Sequence, residues 1–563
     1  MLKPGRPPAR IRPSGEGLKI VLAAEGDAAD RALAADLAAQ RAAVCDWWRD
    51  YWSRGWIALE GDARAERLTA LWYANLYVFA SVGFGGIPPK FNGGPGILFD
   101  DERTWGPNFW WQNSRELIWP LAVANRCDFA RRYLEFYSGF SAGLAGGRDF
   151  GVAYGTGAWR LPETAELARH ALFVGARRSP EPLPDAPYAE LSDADRAKLL
   201  EERRAQRGRH TSHVYSSGTE YLQQLIDYLR FTGDRTLLPH VAKWLRSQTE
   251  LYLQLCTREA DGQWHVRCTN VNESWLKADD SIVDLLAARY CFAQTVAHGR
   301  EFGFPKPFID AASRRLEALA DLPRGRPYVD YHAETGVRFV NGPEVYHPCV
   351  LTNGMRKVNF ENNELYIVHP FAMAKADEEG PLRQLAIDTY LNGPKRNGDS
   401  GWTPVSVAVA RLRLTNAVDV VYGHAIRSCL WPFGGGISPG HGLYTGAGGL
   451  GASVYMDSTG VMQTGVQELL LQSHAEEPDP SFYTGGPVRF IPCVPESWSG
   501  AFKLRARGGF VITASFRKGR LLEAEVLSER GGEFTWIDPG THVRHRRQTV
   551  PGGTFVVHPD LGV

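Results

Sequence analysis

From Ala28 to His474 the apolar residues of this chain recur at helical spacing, and beyond Pro478 they recur at every second position. The helical part divides into about twelve stretches, each with one apolar face to bury. They run Ala28 to Trp56, Glu66 to Ser81, Ser114 to Phe140, Gly218 to Phe231, Arg235 to Cys256, Asp279 to Gly299, Pro307 to Ala320, Glu361 to Ala376, Pro381 to Leu391, Gly401 to Leu412, Asn416 to Leu430 and Val461 to His474. At Thr232-Gly233-Asp234 a glycine ends one helix and an aspartate opens the next, which makes a tight helical hairpin. Twelve helices in antiparallel pairs, joined alternately by short turns and long loops, are the parts of an (α/α)6 toroid. After the change of period, Phe510 to Phe516, Leu521 to Leu527 and Phe534 to Ile537 alternate around turns at Lys518-Gly519 and Gly531-Gly532. The expected fold is mainly α: residues 1–40 form a linker or the remnant of a β-domain, 41–477 an (α/α)6 barrel, and 478–563 a small C-terminal antiparallel β-domain, sandwich-like.

Charge narrows the partners. The 563 residues carry 63 basic and 63 acidic side chains, so no overall field favours nucleic acid or an anionic membrane surface. No apolar run approaches the length of a membrane span, and the basic, proline-rich start lacks a secretory apolar region, so a cytoplasmic protein is expected. The eight cysteines are scattered without a Cys-x-x-Cys pair, which reads as reduced, mostly buried thiols. His210 and His213 are too isolated to suggest a metal, and no organic cofactor is indicated. The 17 Trp and 21 Tyr fit either a large helical core or a cleft that stacks on sugar rings. The clustered Trp47, Trp48, Trp52 and Trp56 read as core, and the charged stretch between about Arg177 and Arg209 as a surface excursion with one short helix, or a lid.

A toroid gathers its long loops at one end, and three such places carry chemistry. Asp457 stands at or just before the entrance of the helix that follows it: either an N-cap carboxylate or a catalytic one. Glu273 lies in RCTNVNESWLKADDS beside Trp264 and Trp275, where desolvation would suit a general acid. Asp279 and Asp280 compete with it, although their place before an apolar helix suits capping. Trp110-Trp111-Gln112-Asn113 ends the third loop, and Asn113 is positioned to orient water or cap a helix. Two carboxylates over one cavity are the minimum equipment for glycoside hydrolysis.

From about Trp72 to about Gly519 the chain resembles glycoside hydrolase family 95, the α-L-fucosidase and α-L-galactosidase relatives among the six-hairpin glycosidases. The resemblance rests on Asp457 preceding Glu468-Leu-Leu-Leu-Gln-Ser-His474, on Phe231-Thr-Gly-Asp234 preceding Glu273, on Trp119-Pro120 following Asn113, on Gly401-Trp402 with Ala410-Arg411-Leu412, and on the stretch from Pro492 to Phe510. It implies a general acid at Glu273, a base aspartate at Asp457 and a water-orienting asparagine at Asn113. Three features depart from the family. Trp111 occupies the place of its first asparagine, Asn359 to Glu364 replaces a histidine-rich stretch, and the large N-terminal β-domain is reduced to a stub at most.

Glu361 and Glu364, three apart on an expected helix, are candidates for catalysis or ligand binding. Trp105, Trp110, Trp111, Trp275 and Trp402 are candidate stacking platforms. The expected activity is inverting hydrolysis of an oligosaccharide or polysaccharide side chain, with a carbohydrate as the partner. Its two carboxyls would then stand roughly 6.5 to 9.5 Å apart. A glycoside phosphorylase and a non-catalytic carbohydrate-binding protein are the alternatives. The sequence does not fix the sugar or the oligomeric state.

Overall fold

A helix whose every side chain is buried must be surrounded, and Met456–Leu470 is such a helix. The computed structural model describes residues 9–14, 17–22, 36–82, 88–91, 108–140, 158, 161, 164–166, 188, 190–206, 212–329, 337–352, 355, 357, 361–376, 379–394, 403–430, 435–436 and 456–559. The chain forms two compact units, Met1–Trp56 and Ile57–Val563.

In the first unit the apolar run at Leu18 lies in an antiparallel hairpin, Ala9–Ser14 against Gly17–Leu22. Helix α1 (Leu37–Arg54) is capped by the Asp36 carboxylate, which accepts from the Ala38 and Ala39 amides. Its rings pack on one another: Trp47 stacks on Tyr51 at 5.1 Å and Trp48 on Trp52 at 5.6 Å.

The second unit is mainly helical, with a sheet region towards its C-terminal end. Its helices are α2 (Ala63–Val82), α3 (Trp111–Val123), α4 (Cys127–Phe140), α5 (Asp193–Ala205), α6 (Ser217–Thr232), α7 (Leu238–Leu255), α8 (Ile282–His298), α9 (Lys306–Glu317), α10 (Pro381–Asn392), α11 (Val405–Arg411), α12 (Ala417–Ser428) and α13 (Met456–Leu470). Helix α13 packs most extensively on α3 and also meets α2, α11 and α12. Its polar residues are matched within this ring of helices: Thr459 donates to Asn75, Gln467 to the Pro120 carbonyl, and Glu468 pairs with Arg411 at 3.0 Å. Between α6 and α7 the expected turn is present. Gly233 takes a left-handed φ of 69°, and Asp234 caps a single 3₁₀ turn, Arg235–Leu237, that runs into α7.

Several elements differ from expectation for local reasons. The stretch Ser114 to Phe140 is two helices, because Asn125 adopts φ 58° and the Arg126 amide turns back to the Leu121 carbonyl, closing α3 as a cap. Glu361 to Ala376 is not an α-helix. It holds a 3₁₀ turn, Asn363–Leu365, followed by turns through Pro370, which has no amide to donate. Ser281, not Asp279 or Asp280, caps α8 by accepting from the Asp284 amide. Those aspartates instead brace the preceding loop: Asp280 accepts from His265 and Arg267, and Asp279 from the Cys268 amide. The charged excursion is docked rather than solvated all round. Arg196 and Arg203 of α5 are buried, and they donate to the Leu253 and Arg267 carbonyls.

Helix α13 begins at Met456 and ends at Leu470, where the chain straightens into a strand. Label the strands β1 (Trp56–Glu60), β2 (Leu471–Gln472), β3 (Val488–Phe490), β4 (Ser499–Ala506), β5 (Phe510–Arg517), β6 (Arg520–Ser528), β7 (Gly532–Ile537), β8 (Arg544–Thr549) and β9 (Gly553–Val557). One sheet runs β9-β6-β5-β4-β1 and the other β2-β3-β7-β8. The sheets are not purely antiparallel, since β3 and β7 pair in parallel, Val488 opposite Trp536. Alternation in β4 to β6 turns Phe502, Leu504, Ile512, Ala514, Ala524 and Val526 inward. Arginines lock the sheets to the helices. Arg507 pairs through two nitrogens with Asp227 of α6, and Arg505 donates to Asn125 in the α3–α4 turn. Among the described residues no helix is long and apolar enough to cross a membrane.

Candidate active site

The site grows from the crossing of α3 and α13. At Gly460 the helices touch so closely that a Cβ there would lie 2.3 Å from the Glu116 carbonyl oxygen. That contact sets the first turn of α13 beside the first turn of α3. Asp457 Oδ2 accepts from Asn113 Nδ2 at 2.8 Å, across 344 residues of sequence, while Oδ1 accepts from the Ser458 amide and hydroxyl. Only 1% of Asp457 is exposed. Burial pushes its carboxyl up from 3.8 to about 6, and the donors at Asn113 and Ser458 oppose that rise. Asn113 is partly exposed, with its amide nitrogen committed to Asp457. Its amide oxygen is the acceptor available by chemistry to hold a water proton.

Two residues along α3, Arg115 organises a buried ion network. Nη1 donates to Glu220 of α6 at 2.5 Å, and Nη2 donates to Glu361 at 3.0 Å and to the Tyr366 hydroxyl. Burial alone would lower the Arg115 pKa, but the charges of Glu220, Tyr366 and Glu361 hold it well above its usual value. Glu361 also accepts from Asn363 and Tyr366, so this carboxylate is engaged on both oxygens. Glu364 lies buried in the 3₁₀ turn; the two glutamates share no helix face, because no helix forms there.

Glu273 sits at the tip of a short hairpin, Thr269–Val271 against Trp275–Ala278, closed by the Ser274 amide on the Val271 carbonyl. Asn272 at that tip takes φ 46°, a conformation asparagine tolerates better than most residues. Its neighbours moor the hairpin on both sides. The Ser216 hydroxyl lies within hydrogen-bond reach of both Asn272 and Glu220, and Ser274 Oγ accepts from the Glu361 amide at 3.4 Å. Thus the turn bearing Glu273 joins, through Glu220 and Glu361, the arginine two residues from Asn113. Glu273 itself is 9% exposed.

The tryptophans divide. Trp111 is fully buried, edge-on to Tyr137 at 4.9 Å and to Tyr221 at 5.7 Å, and Trp275 is buried as well. Both rings serve packing here rather than presenting a face to a ligand. Trp110 is partly exposed at the entrance to α3, and Trp105 and Trp402 lie outside the described residues. His213 is buried and His210 also lies outside the described residues; among those described, no cluster of three or more His, Cys, Asp or Glu is arranged to hold a metal. Sequence reasoning missed Arg115, Glu116, Glu220 and Tyr366. Glu116 stands one helical turn from Asn113, a spacing that could have flagged it, whereas the Arg115 partners come from 105 and 246 residues away and left no local signal.

No family model and no curated protein matches the sequence. Among solved structures, a protein named as a kojibiose phosphorylase, from the human microbiome, aligns over 97% of this chain and 75% of its own, at 9% identity and a TM-score of 0.54. The chain shares that protein's fold. The glycoside hydrolase family 78 rhamnosidase of Bacillus sp. GL1 aligns over 82% of this chain and 40% of its own, at 12% identity and a TM-score of 0.43. The α-L-rhamnosidase of Streptomyces avermitilis aligns over 89% and 42%, at 12% and 0.42.

Proposed function

We propose that this protein is a carbohydrate-active enzyme, an inverting glycoside hydrolase whose helices close as six hairpins in an (α/α)6 toroid. The observation that carries the reading is the hydrogen bond to the buried Asp457 from Asn113, which lies two residues along α3 from the arginine whose carboxylate partners moor the Glu273 hairpin. In this reading Glu273 is the general acid and gives its proton to the glycosidic oxygen as the bond to the anomeric carbon breaks. A water held by the Asn113 amide oxygen attacks that carbon from the opposite face, and its proton passes to the Asp457 carboxylate. Asp457 suits this work: ionised at neutral pH, yet far more basic than an exposed aspartate. The sugar follows from the resemblance to family 95, an α-L-fucoside or α-L-galactoside. In this reading Trp110, partly exposed at the entrance to α3, stacks on the substrate.

A glycoside phosphorylase is the second reading, supported by the fold shared with the named kojibiose phosphorylase. The two are separated by incubating the protein with an oligosaccharide panel, with and without inorganic phosphate, and following the products by proton NMR. Phosphate-independent release, with the first-formed sugar inverted at its anomeric carbon, is the expected result. A strict phosphate requirement with a sugar 1-phosphate as product would move the assignment to the phosphorylase, and retention at the anomeric carbon would refute the inverting mechanism.

A further inference from the structure

One buried carboxyl where α3 crosses α13 has no part in the proposed reaction. Glu116 is wholly buried on α3, one turn from Asn113, with its backbone in contact with α13 at Gly460. Neither of its carboxyl oxygens has a hydrogen-bond partner among the described residues. The charged groups acting most strongly on it are Asp457 on α13, Arg115 on its own helix, Glu361 just before the 3₁₀ turn and Glu220 on α6. The one cation among them, Arg115, is already shared between Glu220 and Glu361. Asp457 and Glu116 are therefore unequal neighbours. Asp457 is held by Asn113 and twice by Ser458, donors that favour a negative charge, while Glu116 has none. An ionised carboxylate without donors is costly in a protein interior, and two like charges side by side are costlier still.

We propose that Glu116 and Asp457 form a coupled carboxyl pair that carries one proton at neutral pH, and that this proton rests on Glu116, making Glu116 a positioning residue that keeps Asp457 the ionised member. The charge pattern agrees: burial, and then the Asp457 carboxylate, push Glu116 well above the usual range. A neutral neighbour lets Asp457 stay charged and accept a proton during turnover without displacing one from Glu116. This consequence for catalysis rests on Asp457 being the base; the shared proton does not.

The test is therefore made without substrate. Infrared titration of the full chain, with glutamate carboxyls labelled with carbon-13 to separate them from aspartate, is run on wild type, Glu116→Gln and Asp457→Asn. Wild type should hold a protonated buried glutamate at pH 7 that is absent from Glu116→Gln. Its midpoint should fall by at least about one pH unit, tenfold in proton affinity, in Asp457→Asn, where the neighbouring charge is gone. A wild-type spectrum with no protonated glutamate at pH 7 overturns the proposal by itself. So does a midpoint that Asp457→Asn leaves in place, a comparison that stands even where Glu116→Gln fails to fold. If sugar release is found, Glu116→Gln should retain the loss of activity below about pH 6 that belongs to Asp457. Failure to find sugar release would leave the infrared result untouched.

Discussion

Asp457 is only 1% exposed, and keeping a charge there has a measurable cost. Its midpoint rises from 3.8 in an unstructured chain to about 6 in the fold, so between those values the folded state holds a proton that the unfolded state has lost. Stability from this group therefore falls as pH rises through that window and stays lower above it, by up to about 3 kcal/mol. Asp457→Asn removes the titration. Its stability relative to wild type, measured by denaturant unfolding, should be about 2 kcal/mol more favourable at pH 7 than at pH 4. As the proposed base, the same group should give sugar release an acid limb, with kcat/KM falling tenfold per pH unit below about pH 6. Arg115 presents the opposite case. Replacing it with leucine leaves Glu220 and Glu361 buried without their cation, which should destabilise the fold by about 3–5 kcal/mol in the same unfolding experiment. A loss under 1 kcal/mol would mean that those carboxylates find other partners.

At the scale of elements the site depends on where two helices cross. Gly460 lets α13 approach the Glu116 carbonyl, and an alanine there would place its Cβ 2.3 Å from that oxygen. Gly460→Ala should force α3 and α13 apart, lower stability by about 1–3 kcal/mol, and weaken the Asn113–Asp457 bond enough to reduce sugar release more than it reduces folding. Thermal melting read beside the activity checks both halves. The helices themselves were legible from apolar spacing, because a buried helix face writes itself into every third or fourth residue. Their ends were less so: the break at Asn125 and the non-helical course from Glu361 depend on single residues, one tolerating a left-handed turn and one, Pro370, lacking an amide. The pattern also understated α13. Its polar side is buried as deeply as its apolar side, with Thr459, Gln467 and Glu468 partnered by Asn75, Pro120 and Arg411 on neighbouring helices.

In the large unit the sheets and the helices form one compact body, joined where Arg505 and Arg507 reach back to Asn125 and Asp227. The alternation of β4 to β6 was legible in the sequence. The strands that complete the two sheets, β1 and β2, were not: β1 pairs with β4 across hundreds of residues, which leaves no local mark, and β2 is a two-residue continuation of an apolar helix. The site shows the same division. Asn113 and Asp457 were identified as separate loop candidates, and the structure bonds them to each other; the Arg115 network that moors the Glu273 hairpin to the same helix α3 emerges only in three dimensions. The proposed reaction joins these parts, with Glu273 as its acid and Asp457 as its base. Its most direct test is sugar release from a broad panel of plant and microbial oligosaccharides, including α-L-fucosides and α-L-galactosides, by wild type, Glu273→Gln and Asp457→Asn. Release by wild type, with at least a hundredfold loss in each folded variant, is the result this account predicts. Equal release by wild type and Glu273→Gln would contradict it.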